Sequence, residues 1–149
     1  MKIIAKTLEN TKQFAKDLII EISKKITDKA TILDLKGDLG AGKTTLVQML
    51  GSELGVTEII QSPTFVIMKS YKTKHPLFKT LVHIDAYRIE HIDEAKILKL
   101  ENIFIDPTNL VCIEWAEKIK EVIPEAAIKV RCELLENDEH QYEIGDNFL

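Results

Sequence analysis

The fold is decided by the stretch Gly37-Asp38-Leu39-Gly40-Ala41-Gly42-Lys43-Thr44, which matches the phosphate-loop pattern GxxxxGK[ST] at every fixed position. Its glycines let the backbone curl so that successive N–H groups point into one concavity that binds phosphate oxygens. The segment 31–35 before it is a predicted strand, and 43–54 after it is a predicted helix that ends at Gly55. The positive end of that helix dipole would face the same anion. The sequence therefore predicts a nucleotide-binding loop.

Individual residues of this loop have distinct expected roles. Lys43 neutralises charge on the β- and γ-phosphates, which makes it a catalytic candidate, and Thr44 offers a hydroxyl to Mg²⁺. The loop residues expected to bind the nucleotide are Leu39, Gly40, Ala41, Gly42, Lys43, Thr44 and Thr45.

A phosphate loop also needs an acid for the magnesium at the end of a nearby buried strand. Glu114 ends the apolar run 110–113, and Asp85 ends the run 81–84. Each could instead be a solvated residue at a strand end. The spacing does not decide which of the two binds the metal directly; the other would organise water or the outer coordination shell.

The nucleotide is assigned by elimination. The guanine-recognition element [NT]KxD does not occur, and the one DxxG, 34–37, overlaps the phosphate loop. We therefore expect ATP rather than GTP.

Length and composition limit the remaining possibilities. The chain has 149 residues, a net charge of −4 and 45% apolar residues, as expected of one domain covering 1–149. Its longest apolar runs are too short to span a bilayer, and no secretory signal is recognisable. Cys112 and Cys132 form no CxxC pair and are predicted to be reduced thiols of a cytoplasmic protein. The negative charge argues against a broad nucleic-acid-binding face.

Apolar periodicity predicts the other elements. A short strand, 3–8, that could lie at a sheet edge precedes a helix, 11–27, with Asn10 as its N-cap and Gln13 completing a capping box. Further strands are predicted at 65–71, 78–85, 110–113, 127–135 and 141–144, with helical material at 92–104 and 115–122. The run 110–113 is typical of a strand buried on both faces. These elements predict a three-layer α/β domain, similar to P-loop NTPases, with a mixed, partly parallel sheet.

Four blocks in this order resemble the TsaE family, the small ATPase of bacterial tRNA threonylcarbamoyladenosine biosynthesis. They are 37–46, Ser62-Pro63-Thr64-Phe65, His83-Ile84-Asp85-Ala86-Tyr87-Arg88 and Ile113-Glu114-Trp115, and the resemblance covers nearly the whole chain. It implies binding of ATP and Mg²⁺ and slow hydrolysis of the ATP. It also implies work with the partner proteins TsaD and TsaB, which modify the adenosine beside the tRNA anticodon, so that tRNA is reached through the complex.

The resemblance also implies roles for single residues. It places magnesium on Thr44 and Glu114, and it makes Asp85 important for hydrolysis. The segment 62–64 would be a switch-like loop near the γ-phosphate, which adds Thr64 to the catalytic candidates, although a threonine there could simply cap the strand.

Three further nucleotide-site candidates come from the same resemblance. Trp115 would lie beside the nucleotide, although a lone tryptophan is often a core residue, and Thr11 and Glu117 are carried over from the family. The chain departs from the family in the turn 136–140 of the last hairpin, where His140 is the one residue that could be cationic.

Two other features have ordinary alternatives. Lys69, Lys72, Lys74 and Lys79 occur within eleven residues that contain no acid, so they could contact tRNA or an acidic partner, or they could protect a solvated sheet edge. The four histidines show no metal-ligand spacing, so no metal other than Mg²⁺ is expected.

Two other functions remain open from the sequence. A small-molecule kinase of the phosphate-loop class would need an arginine-rich lid, but the chain has two arginines, Arg88 and Arg131. A nucleotide-dependent binding module would use the loop without needing hydrolysis.

Overall fold

A computed structural model of the chain describes residues 1–25 and 27–145, which form seven strands, four α-helices and two short 3-10 helices. The strands are β1 (Lys2–Ala5), β2 (Thr31–Lys36), β3 (Met68–Lys72), β4 (Thr80–Asp85), β5 (Asn109–Glu114), β6 (Ile128–Leu134) and β7 (His140–Ile144). The α-helices are α1 (Leu8–Ser23), α2 (Lys43–Glu53), α3 (Ile92–Ile97) and α4 (Leu100–Phe104), and the 3-10 helices are Ala116–Val122 and Glu136–Asp138.

All seven strands of the described chain form one sheet, in the order β1-β7-β6-β2-β5-β4-β3. The four central strands, β6, β2, β5 and β4, are parallel to one another. The outer pairs β1–β7, β7–β6 and β4–β3 are antiparallel. The predicted mixed, partly parallel sheet is confirmed, as is the edge position of the first strand.

Alternate residues of β5 pack against two different helical layers, because successive side chains of a strand point to opposite faces. Leu110 and Cys112 belong to a core that includes α1 and α2. Val111 and Ile113 belong to a second core with α3, α4 and the 3-10 helix Ala116–Val122. Every residue of β5 is buried, which confirms the prediction for 110–113 and the three-layer α/β architecture.

The predicted start of α1 is wrong. Thr7, not Asn10, is the N-cap: the Thr7 hydroxyl accepts a hydrogen bond from the Asn10 N–H at 3.3 Å, and the Asn10 Oδ1 accepts one from the Thr7 N–H at 3.2 Å. Both residue types are good caps, but only a start at Leu8 satisfies both bonds of this box. Gln13 instead donates to Asp17 at 2.9 Å. The helix also ends at Ser23, before the predicted end at residue 27; residue 26 of the predicted range lies outside the described residues.

The third strand begins at Met68 instead of residue 65. The N–H groups of Val66 and Ile67 both donate to the Pro63 carbonyl, at 3.1 and 2.6 Å, and Ile67 has a positive φ of 69°. The chain therefore turns before it enters the sheet, which leaves Phe65 and Val66 exposed. The third and fourth strands, both predicted from the sequence, pair with each other in antiparallel orientation.

The basic segment lies at the β3 edge of the sheet. Lys69 and Lys72 are on β3, and Lys74 and Lys79 are in the loop to β4; all four are exposed. The salt bridges found among residues 1–25 and 27–145 involve none of these lysines.

Candidate functional site

The phosphate loop lies at the carboxyl ends of three parallel strands. It follows β2 directly, and strand register aligns Leu35 of β2 with Glu114 of β5, and Glu114 with Asp85 of β4. The two candidate acids are thus cross-strand neighbours beside the loop. In open α/β sheets, ligands bind at this edge, outside the carboxyl ends of the strands.

Two glycines of the loop are required by their surroundings. A Cβ at Gly37 would overlap the Cys132 carbonyl oxygen of β6, and a Cβ at Gly42 would overlap the Tyr142 hydroxyl of β7. Gly42 also has a φ of 89°, in the left-handed region that L side chains rarely adopt. The loop therefore packs closely against the last hairpin, which leaves no room for side chains at these positions.

The last hairpin also donates hydrogen bonds towards the loop backbone. The Tyr142 hydroxyl donates to the Gly42 carbonyl at 3.2 Å, and His140 Nε2 lies 3.2 Å from the Gly40 carbonyl. Burial raises the pKa of Tyr142 to about 12, so this hydroxyl keeps its proton at neutral pH. The sequence did not reveal these contacts, because the paired residues are 100 positions apart.

Lys43 lies buried inside the loop. Its ammonium group donates to the Gly37 and Asp38 carbonyls at 2.6 and 2.8 Å and lies 4.5 Å from the centre of the Trp115 ring. The Trp115 ring in turn packs against Tyr87, with ring centres 5.2 Å apart. Trp115 therefore lies beside the phosphate loop, and its contact with a bound nucleotide stays a prediction.

Glu114, at the end of β5, contacts both the phosphate loop and the neighbouring strand β4. Its Oε1 accepts a hydrogen bond from the Thr44 hydroxyl at 2.8 Å and lies 2.8 Å from Nε2 of His83. The carboxylate is 4% exposed, and His83 is fully buried. A carboxylate and a hydroxyl at hydrogen-bond distance are two hard oxygen donors of the kind that bind Mg²⁺.

Asp85 organises the segment 62–64. Its Oδ2 accepts hydrogen bonds from the Thr64 hydroxyl at 2.8 Å and from the Ser62 hydroxyl at 3.2 Å, and its Oδ1 accepts one from the Tyr87 N–H at 3.0 Å. The carboxylate is 3% exposed. One buried acid thus holds two hydroxyls at the edge of the phosphate loop.

These groups surround one open cavity of about 400 Å³. It is lined by Leu39, Gly40, Ala41, Gly42, Lys43, Thr44, Thr45, Ser62, Thr64, Asp85, Tyr87, Glu114, Trp115 and His140.

The two cysteine thiols take no part in this cavity's described lining. Burial raises the pKa of the Cys132 thiol to about 12 and that of the Cys112 thiol further still. Both thiols are therefore protonated and unreactive at neutral pH.

Comparison with known proteins identifies the family. The model of a family described as "Threonylcarbamoyl adenosine biosynthesis protein TsaE" matches residues 5–143. The chain belongs to the TsaE family. Its membership confirms the resemblance drawn from the four sequence blocks.

Curated TsaE relatives match most of the chain. The tRNA threonylcarbamoyladenosine biosynthesis protein TsaE of Bacillus subtilis is 35% identical over 133 residues, which cover 89% of this chain and 77% of that protein. The protein of the same name from Rickettsia bellii is 35% identical over 141 residues, covering 94% of this chain and 91% of that protein. The Nostoc protein of that name reaches 43% identity over 113 residues, or 72% of this chain and 65% of that protein.

A solved structure supports the fold. The crystal structure of YdiB from Bacillus subtilis aligns with a TM-score of 0.71 and 29% sequence identity, covering 99% of this chain and 88% of that chain. The helices among the described residues include none long and apolar enough to cross a membrane.

Most of the site residues predicted for this TsaE-family chain lie together. All the loop candidates, 39–45, and also Thr64, Asp85, Glu114 and Trp115, line the cavity. Two candidates lie elsewhere in the described structure. Thr11 is buried on α1, and Glu117 is exposed and paired with Lys36 at 3.4 Å. Their proposed roles in nucleotide binding stay predictions.

The structure brings four further residues to the site that were not predicted as site residues from the sequence: Ser62, Tyr87, His83 and His140. Ser62 and Tyr87 lie in the quoted blocks, so proximity in sequence could have added them. His83 precedes Asp85 by two positions on a strand, which places both side chains on one face. His140 could have been identified because it is the one residue in the turn 136–140 that could be cationic.

Proposed function

We propose that the chain is a Mg²⁺-dependent ATPase that binds and slowly hydrolyses ATP and supports TsaD and TsaB in threonylcarbamoylation of tRNA. One observation carries this proposal: a phosphate loop, a Thr44–Glu114 pair and an Asp85–Thr64 pair line the same cavity in a member of the TsaE family. Each of these three groups has a separate part in phosphoryl transfer.

Phosphate binding is assigned to the loop backbone and α2. The N–H groups of the loop and of the first turn of α2 are donors for phosphate oxygens, and the helix dipole favours negative charge at that end. Lys43 lies within the cavity lining and adds a full positive charge. Its three ammonium protons can be shared between loop carbonyls and a phosphate.

The residues present fit a magnesium ion. Mg²⁺ binds through one or two protein oxygens and the phosphates of its nucleotide and keeps several waters. Glu114 and Thr44 offer a carboxylate and a hydroxyl 2.8 Å apart, and both line the cavity. When bound there, the ion neutralises charge on the β- and γ-phosphate oxygens.

Hydrolysis is assigned to the Asp85 group. The hydroxyls of Ser62 and Thr64 both donate to Asp85 Oδ2, so their lone pairs are free to accept hydrogen bonds from a water molecule. Asp85 fixes these hydroxyls, and the cavity lining holds no further carboxylate besides Glu114 among the described residues. With no separate strong base, we expect turnover by the isolated protein to be slow.

The direct test is an assay of ATP hydrolysis with Mg²⁺, with and without TsaD, TsaB and tRNA. We expect slow release of phosphate by the chain alone, loss of release in EDTA, and stimulation by the partners. Absence of any hydrolysis would favour a nucleotide-dependent binding module, whereas hydrolysis without stimulation would contradict the role with TsaD and TsaB.

A kinase function has less support. A small-molecule kinase clamps its phosphates with arginines from a lid. Arg88 instead packs against the Phe65 ring, 4.3 Å from its centre, and neither Arg88 nor Arg131 belongs to the described cavity lining.

A further inference from the structure

His83 is a fully buried polar residue beneath the proposed magnesium site. It lies on β4, two residues before Asp85, and its Nε2 is 2.8 Å from Glu114 Oε1. Its cross-strand neighbour is Cys112, which is also buried. A buried histidine needs a reason, because its polar ring atoms lose their contacts with water.

The direction of the hydrogen bond follows from the chemistry of the partner. An ionised carboxylate can only accept, so Nε2 of His83 is the donor to Glu114. Nδ1 is then an acceptor, and it is buried without a hydrogen-bond partner among the described residues. Only one of the two ring nitrogens is therefore used. Since an apolar side chain would leave no orphaned atom, packing alone does not explain the histidine.

Glu114 Oε1 receives two donors at once. The Thr44 hydroxyl and His83 Nε2 both lie 2.8 Å from this oxygen. The hydrogen bonds of the Glu114 carboxylate within the described structure all go to Oε1. Oε2 has no partner there and yet is not a fully buried atom, and Glu114 lines the cavity. The two donors thus hold the carboxylate at one oxygen, while the second oxygen is accessible for a ligand.

We propose that His83 is a positioning residue: its Nε2–H holds the Glu114 carboxylate in the orientation that presents Oε2 to Mg²⁺. This inference rests on the proposed function, because it assumes that Glu114 binds the ion. Groups that hydrogen-bond to metal ligands commonly change metal affinity by 10- to 100-fold when they are removed. If His83 has this role, the tightening of nucleotide binding by Mg²⁺ requires a hydrogen-bond donor at the position of His83 Nε2.

Three substitutions separate a positioning role from a packing role. His83→Leu removes the hydrogen-bond donor and keeps a side chain of similar size. His83→Gln carries an amide nitrogen near the place of Nε2, whereas His83→Asn carries one near the place of Nδ1, away from Glu114. The Gln and Asn variants are therefore a matched pair, equally polar but differing in where the donor lies.

The measurement is binding of a non-hydrolysable ATP analogue, by calorimetry, across a series of Mg²⁺ concentrations and in EDTA. Thermal unfolding of each variant is recorded without nucleotide. We expect His83→Leu and His83→Asn to raise the Mg²⁺ concentration needed for half-maximal tightening by roughly 10- to 100-fold. His83→Gln should stay within about three-fold of the unmodified protein, and affinity in EDTA should change by less than about two-fold in all three.

The outcomes distinguish this inference from the function on which it rests. If the unmodified protein shows no tightening by Mg²⁺, the proposed function fails, and this inference with it. If Mg²⁺ does tighten nucleotide binding by the unmodified protein, an equal Mg²⁺ dependence in His83→Leu overturns the positioning role. Equal losses in His83→Gln and His83→Asn also overturn it, because the place of the donor would then not matter. This Gln–Asn comparison still decides the question if His83→Leu does not fold.

Discussion

The Asp85→Asn substitution tests the assigned role of the buried acid in hydrolysis. It changes the charge and one atom while keeping the size of the side chain. The amide oxygen can still accept the hydrogen bond from the Tyr87 N–H, which is 3.0 Å from Asp85 Oδ1. The amide nitrogen, however, would face the hydroxyls of Ser62 and Thr64, which now donate to Oδ2. Both hydroxyls would have to turn their protons away.

The size of the effect follows from these two bonds. A hydrogen bond to a charged group is worth about 1.5 to 3 kcal/mol, and a neutral one about 0.5 to 1.5 kcal/mol. Losing the charge therefore costs about 1 to 1.5 kcal/mol for each hydroxyl, or about 2 to 3 kcal/mol for the pair. If the hydroxyls are needed in this orientation only in the transition state, the turnover number falls roughly 30- to 150-fold.

The assay measures phosphate release under saturating ATP and Mg²⁺, together with the dissociation constant of a non-hydrolysable analogue. Affinity should change by less than about three-fold, since the loop, Lys43 and the Glu114 pair are untouched. Asp93→Asn is the matched control, because Asp93 is exposed on α3 and pairs with Lys96 at 2.9 Å. An Asp85→Asn protein that hydrolyses ATP within two-fold of the control would refute the reasoning. So would a loss confined to ATP affinity.

Three further predictions concern the loop, the core and the basic edge. Tyr142→Phe removes the donor to the Gly42 carbonyl and should weaken nucleotide binding roughly two- to ten-fold in calorimetry; unchanged affinity would show that the hairpin does not stabilise the loop. Burial raises the pKa of Asp34, so its ionisation disfavours the folded state. The free energy of unfolding of Asp34→Asn should therefore gain on that of the unmodified protein as pH rises above about 4, in urea titrations at each pH; a constant difference would contradict this. A Lys72→Glu and Lys74→Glu double variant should lose stimulation by TsaD, TsaB and tRNA at low salt while keeping its intrinsic rate, if this edge binds an anionic partner; equal stimulation would favour a solvated, protected edge.

The local parts of the site were predictable because each depends on neighbouring residues. The phosphate loop carries its signal in eight consecutive positions, and Glu114 and Asp85 directly follow short runs with the composition of buried strands. Their meeting beside the loop follows from parallel pairing of β2, β5 and β4. This pattern predicted the parallel centre of the sheet correctly and placed both acids beside the loop, while their roles in metal binding and hydrolysis stay predictions.

Three kinds of feature were not predictable from local pattern. Where two good caps compete, as Thr7 and Asn10 do, the reciprocal hydrogen bonds decide, and these need coordinates. Phe65 and Val66 have the composition of a strand, but the bonds to the Pro63 carbonyl hold them in a turn. The contacts of His140 and Tyr142 with the loop depend on strand order, which no short segment encodes.

The sheet order has a consequence for how the protein is made. β1, at residues 2–5, has only β7, at residues 140–144, as its strand partner among the described residues. β1 precedes β7 in the chain, so on the ribosome β1 is made first and can pair only after β7 has followed, which is a contact of very long sequence separation. The same strand brings Tyr142 to the phosphate loop. A nascent chain that has not yet reached β7 thus lacks both the strand partner of β1 and the Tyr142 contact that supports the nucleotide loop, so we expect full ATP binding only once β7 has been made.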